Sequence, residues 1–175
     1  MALMPAFFLS PPAAAMSDDV VLVVSTQQGD GGADASTARI VRAILEYSRW
    51  PKGADPVRLC VIGTAQNADG LDTITLPDGR RVVMRALASE AVDMPGRCDA
   101  FYLGAMDLGA MRQWTARARG AAIVTIAERD PQCRSEAMFC LVYRPGTVTF
   151  RLNIDAVARS GVRVDPRVLR MAKGG

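Results

Sequence analysis

Behind residue 36 the apolar positions switch repeatedly between the period of a helix and that of a strand, and the switches mark out the expected elements. Ile40, Val41, Ile44 and Leu45 recur at helical spacing after Ser36, which can cap a helix. Tyr47 and Trp50 follow, before Pro51 and Gly53 end the element. "VRLCVIG" (57 to 63) is a continuous apolar and β-branched run, the pattern of a strand covered on both faces. "TITLPDGRRVVMRAL" (73 to 87) holds two β-rich runs around Pro-Asp-Gly, which predicts a turn. "CDAFYLG" (98 to 104) predicts another strand, "LGAMRQWTARARG" (108 to 120) an amphipathic helix stopped by Gly120, and "AAIVTIAE" (121 to 128) a further strand. Strands alternating with helices imply a largely parallel sheet flanked by helices.

The C-terminal part changes character. "AMFCLVYRPGTVTFRLNI" (137 to 154) has two β-rich runs around Pro145 and Gly146, which predicts a hairpin and an antiparallel sheet edge. Asn153 or Asp155 caps a short helix through Arg159, and Gly161 ends it. "VDPRVLRMAKG" then opens a last helix, with Asp165 as cap and Pro166 in its first turn. The expected fold class is therefore α/β: a single domain with a largely parallel sheet flanked by helices, a C-terminal hairpin and short terminal helices.

The start of the chain reads as a processing segment. "MALMPAFFLSPPAAAMSDD" is apolar to Ala15 and offers small residues at Ala13, Ala14 and Ala15, which is the tail of a secretory signal peptide over residues 1–15, although no Lys or Arg precedes the apolar run. It is too short and proline-rich to span a membrane, and "VVLVV" (Val20 to Val24) is shorter still. Residues 16–35 are expected to form an N-terminal strand and linker, and residues 36–175 the domain. The glycines of "QQGDGGADAS" (27 to 36) lack the Lys-Ser/Thr of a phosphate loop.

Composition narrows the chemistry. Half of the 175 residues are apolar, enough for one domain with its own core. The net charge of +3 comes from 21 basic and 18 acidic residues without a basic block, so nucleic acid is not an expected partner. There is no histidine, which removes Ser-His and Cys-His nucleophile pairs and imidazole metal ligands. Carboxylates such as Asp72, Glu90, Asp93 and Asp99 are spread among loops with no pairing for acid and base work. The expectation is a non-enzyme without cofactor or metal. Arg159, Arg163, Arg167 and Arg170 read as a solvated face.

The four cysteines carry the remaining signal. Cys60, Cys98, Cys133 and Cys140 form no C-x2-C or C-x4-C pair, so neither a zinc knuckle nor a thioredoxin-like motif is present. In an exported chain an even set of cysteines reads as disulfides, with free buried thiols as the alternative. Cys60 and Cys98 lie in segments predicted as neighbouring strands, and Cys133 and Cys140 flank a short loop. The expected pairing is Cys60 with Cys98 and Cys133 with Cys140, one of three connectivities.

The order of the pieces adds a resemblance. "YSRWP" (47 to 51), "LCVIG", "GRRVVMRAL" (79 to 87), "CDAFYLG", "AAIVTIAE" and the ending "VTFRLNIDAVARSGVRVDPRVLRMAK" (148 to 173) resemble the YfiR-like family of periplasmic proteins, over residues from about Ser36 to Lys173. The ending is the most specific part, through Phe150, Leu152, Asn153, Ile154, Gly161, Val162, Val164, Val168, Leu169 and Ala172. The cysteines also match the family's two-bridge arrangement. The resemblance implies a periplasmic regulator that binds and represses an inner-membrane diguanylate cyclase through its periplasmic portion, lowering cyclic-di-GMP and biofilm formation. An outer-membrane lipoprotein that sequesters the regulator is a further implied partner, and homodimerisation is compatible with the same role. Under this reading the partner surface is expected near the Trp50 turn and the terminal segment, with Phe150, Arg151, Asn153 and Arg163; the alternative for each is fold maintenance. The competing functional reading is a periplasmic small-ligand sensor with an apolar pocket near Trp50 and Phe150.

Overall fold

In the computed structural model, residues 26–27, 32–90 and 98–168 are described. The expected signal peptide, the "VVLVV" run, Asp93 and the end of the last expected helix, with Leu169, Arg170 and Ala172, lie outside them.

The first helix, α1 (Gly32–Glu46), is built on an apolar stripe. Ser36, Thr37, Ile40, Val41, Ile44 and Leu45 are buried along one side at three- and four-residue spacing. It begins four residues before the cap expected from sequence. Ser36 lies inside the helix, buried, and its hydroxyl accepts a 3.2 Å bond from Arg39. The Ala-Asp-Ala stretch ahead of it is good helix material, and Asp34 in the first turn complements the helix dipole. The helix also ends at Glu46, before Trp50, because Ser48–Arg49 (β2) leaves to pair with another segment.

Five parallel strands form the body of the sheet: β3 (Val57–Ile62), β4 (Val82–Leu87), β5 (Ala100–Leu103), β6 (Val124–Ala127) and β7 (Phe139–Arg144). Across the sheet they run β4-β3-β5-β6-β7. The antiparallel hairpin partner β8 (Thr147–Leu152) follows β7, and β1 (Thr26–Gln27) closes that edge against β8. Of the two β-rich runs around Pro-Asp-Gly only the second is a full strand. The first contributes a single bridge, Thr75 to Arg81, because Asp72 and Thr73 turn away.

Alternation along the strands sorts the core into two layers. On one face Leu59, Val61, Tyr102, Ile126, Leu141 and Phe150 pack under α1. On the other, Cys60, Ile62, Phe101 and Leu103 meet Trp114 and Ala118 of α2 (Leu108–Ala118). Phe101 and Trp114 touch edge to face with centroids 5.5 Å apart. The expected pairing of the cysteines is present: Cys60–Cys98 ties β3 to the entry of β5, and Cys133–Cys140 closes the loop that enters β7.

After β8 the chain forms α3 (Ile154–Ala158) and then β9 (Arg163–Val164), which pairs with β2 as a separate two-stranded ribbon. The last expected helix is a single turn over residues 166–168 within the described residues.

Candidate functional site

A doubly wound sheet has two ends, and they are built differently here. The strand order reverses between β3 and β5, and the crevice beyond the C-terminal ends of such strands is where open α/β sheets hold ligands. In this chain the crevice is closed by backbone. Ala105 N–H donates to the Thr64 carbonyl at 2.7 Å, bridging the two loops. Gly104 sits so close beneath that a Cβ there would fall 2.5 Å from the Thr64 carbonyl carbon. Only glycine permits that approach.

Beside this seam a buried carboxylate is caged. Glu128, fully buried at the end of β6, accepts the Gln66 backbone N–H at 2.9 and 3.0 Å, that of Asn67, and the Asn67 side-chain amide at 3.3 Å. Its lone pairs are taken up in holding the 66–67 loop over the sheet. Nearby, the Tyr102 and Tyr143 hydroxyls lie 3.5 Å apart, and Tyr143 bonds the Thr37 hydroxyl at 3.0 Å. Burial pushes both phenols up from their ordinary values, Tyr102 further through its neighbours Tyr143 and Glu128. The Arg129 guanidinium lies over the Tyr143 ring at 5.6 Å. These bonds form a polar lock joining α1, β5, β6 and β7, and beside it, after β5 and β6, a groove of about 380 Å³ is lined by Met106, Met111, Arg129 and Arg134.

The opposite end, before the parallel strands begin, holds Trp50 beside Asp99 and Asn153 beside Met138, while Phe150 and Arg151 lie within β8 and Arg163 in the β2–β9 ribbon. Trp50 is 9% exposed, donates its indole N–H to the Asp99 carbonyl at 2.9 Å, and carries the Arg80 guanidinium 5.8 Å from its ring. Asp99 is the node of this end: its carboxylate accepts the Arg58 backbone N–H and both arms of the Arg58 guanidinium at 2.8 to 2.9 Å. Those bonds raise the Arg58 pKa from its ordinary value. Asn153 caps α3 by accepting the Ala156 N–H at 2.9 Å, and its own N–H reaches the Met138 carbonyl at 2.8 Å. Arg163 is exposed on β9 opposite Arg49 of β2. The Ser48 hydroxyl ties the ribbon to α1 by donating to the Ile44 carbonyl at 2.7 Å, and Tyr47, between α1 and β2, takes the Asp165 N–H on its carbonyl at 2.9 Å and Arg167 over its ring at 5.5 Å.

The five residues therefore divide by exposure. Phe150 is 2% exposed and packs edge to face on Phe139 at 5.6 Å, so it and Trp50 belong to the hydrophobic core. Arg151 and Asn153 are half-buried at the end of β8, and Arg163 presents its charge to solvent. Two residues that organise the ends, Glu128 and Asp99, carry weak signals in the sequence. Glu128 is a lone acid ending an apolar strand, and Asp99 is an acid directly after a cysteine.

Among the described residues no group of three or more Cys, Asp or Glu side chains is arranged to hold a metal ion. No helix among them is long and apolar enough to cross a membrane. A family model described as YfiR/HmsC-like matches residues 34–173.

Proposed function

The chain belongs to the YfiR/HmsC-like family, and from that membership we propose that it binds the periplasmic portion of an inner-membrane diguanylate cyclase and represses it. The family is one of periplasmic, non-catalytic regulators of diguanylate cyclase systems. The observation that carries the reading is the match over residues 34–173, which takes in nearly the whole described domain. The closed crevice between β3 and β5 agrees with it, since the place where this fold class holds small ligands is filled by the chain's own backbone.

The docking face is the end of the molecule around the β2–β9 ribbon. Arg163, Arg151 and Asn153 offer polar groups to the partner, while Trp50 and Phe150 belong to the hydrophobic core. An outer-membrane lipoprotein that competes for the regulator and a homodimeric state belong to the same scheme. Repression follows from differential affinity: the regulator shifts the cyclase only as far as it binds the inactive form more tightly.

The test is the cellular cyclic-di-GMP level with and without the gene, complemented by the full chain or by a version lacking residues 1–15. Repression gives a rise on deletion that only the full chain reverses. An unchanged level in every strain refutes the proposal.

A further inference from the structure

The edge strand β4 departs from the rest of the sheet. All six of its residues pair in unbroken parallel register with β3, Val57 with Val82 through Ile62 with Leu87. Yet β4 is exposed along most of its length, with Val83 at 47% and Met84 at 37%. Long apolar edges are normally guarded by a bulge, a proline or repeated charge. This one has no bulge and no proline, and Arg85 is the single charge within it.

The hydrogen bonds fix which backbone groups face outward. Arg81 and Leu87 turn their carbonyls toward β3, where the N–H groups of Val57 and Gly63 meet them. Successive residues of a strand point their backbone groups to opposite sides, so Val82, Met84 and Ala86 face away from β3. The Val82 N–H is satisfied by the Ile74 carbonyl at 2.9 Å, from the short arm that also bridges Thr75 to Arg81. Beyond Ile74 the arm leaves through Thr73, whose N–H turns back to Gly70. Among the described residues no strand pairs with β4 on the side that Met84 and Ala86 turn away from β3. A groove of about 400 Å³ lined by Asp72, Thr73, Val83 and Met84 opens where the arm departs.

The side chains select the occupant. Arg81, Val83 and Arg85 lie on one face of the strand, and both arginines are exposed without an ion pair among the described residues; Asp72 is the one opposing charge in the groove. A second copy of this chain fits poorly. Pairing β4 with itself so that the sheet faces continue sets Arg81 opposite Arg85 when centred on Val83. It sets Arg85 opposite itself when centred there, and brings the two Arg85 residues onto the diagonal when centred on Met84. Like charges at those positions repel. An extended segment with carboxylates at alternate positions around an apolar residue pairs both arginines and covers Val83.

We infer that the outer edge of β4, from Val83 to Leu87, is a strand-docking site for an acidic extended segment of a partner protein, which would lengthen the sheet by one strand. The inference deepens the regulatory reading by naming a second contact with a protein partner, and it is tested without the cyclase so that each stands or falls alone.

The probe is a labelled, end-blocked synthetic peptide alternating glutamate and valine, with a lysine-and-valine peptide as its counterpart, added to the purified chain at low salt. Site-resolved amide exchange should show added protection at Met84 and Ala86 with the glutamate peptide. Anisotropy should show the lysine peptide about tenfold weaker, the size expected of two cross-strand charge pairs. Arg85→Glu leaves the backbone and core untouched, and it should narrow or invert that preference. Protection absent at Met84 and Ala86, or a preference unmoved by Arg85→Glu, overturns the inference. Protection that rises with protein concentration alone assigns the edge to a second copy and overturns the acidic occupant.

Discussion

Removing either disulfide should destabilise the fold by an amount set by the loop it closes. The Cys60–Cys98 bridge spans a sequence separation of 38 and Cys133–Cys140 one of 7. The chain-entropy relation gives about 3.9 kcal/mol for the first and about 2.4 kcal/mol for the second at 25 °C. Packing loss largely cancels in the comparison, since Cys60 and Cys140 are both almost fully buried. The pair Cys60→Ala with Cys98→Ala should thus cost about 1.5 kcal/mol more than Cys133→Ala with Cys140→Ala. In melting temperature the losses are roughly 8–16 °C and roughly 5–10 °C for a chain of this size. The assay is urea unfolding of wild type and both double variants, followed by far-ultraviolet circular dichroism. Wild type with a reductant should lose about the sum, because the bridges are far enough apart to act independently. Equal costs, or a larger cost for the short loop, would refute the entropic reasoning and put the stabilisation in native contacts around the 133–140 loop.

Two further outcomes follow from the two ends of the sheet. Gly104→Ala should destabilise by about 2–3 kcal/mol through a backbone collision that no rotamer relieves, measured by the same urea titration; a neutral result would mean that the loop seam at Thr64 yields easily. Asp165, hydrogen-bonded by the Arg167 side chain and backbone, is held at a pKa of about 2, down from 3.8. A lowered folded-state pKa makes its contribution to ribbon docking present above pH 3.8 and lost as pH falls through about 2. A carboxyl NMR titration should give that midpoint, and Arg167→Ala should return it toward the ordinary value.

How much of this was legible in the sequence depended on whether a signal was local. Helix α2 was, because Gly120 follows it and its buried Met111, Trp114, Thr115 and Ala118 keep helical spacing, while its cap, Asp107, emerged only in the structure. The start of α1 was not, since Ser36 is a good cap by type but is buried by the sheet beneath it. The ribbon of β2 and β9 was invisible: two residues carry no period, and Ser48 pairs with Val164 only because α1 and the terminal segment meet in space. The five residues expected at a partner surface could be named, but not sorted into core residues such as Phe150 and exposed groups such as Arg163.

The sequence by itself determined the elements and their class. Apolar runs with strand composition, broken by helices with an apolar stripe, can bury their hydrophobic surface only as a covered sheet, and four cysteines with no histidine left disulfides as their expected use. Tertiary structure alone decided what each position faces. "VRLCVI" and "VVMRAL" read alike, yet β3 is buried between two neighbours while β4 stands at an edge with Val83 and Met84 exposed. Likewise Glu128 is an ordinary acid until the loop after β3 folds over it and spends its lone pairs. Period and composition report which surfaces must be covered, but the order of strands in space determines which of them are.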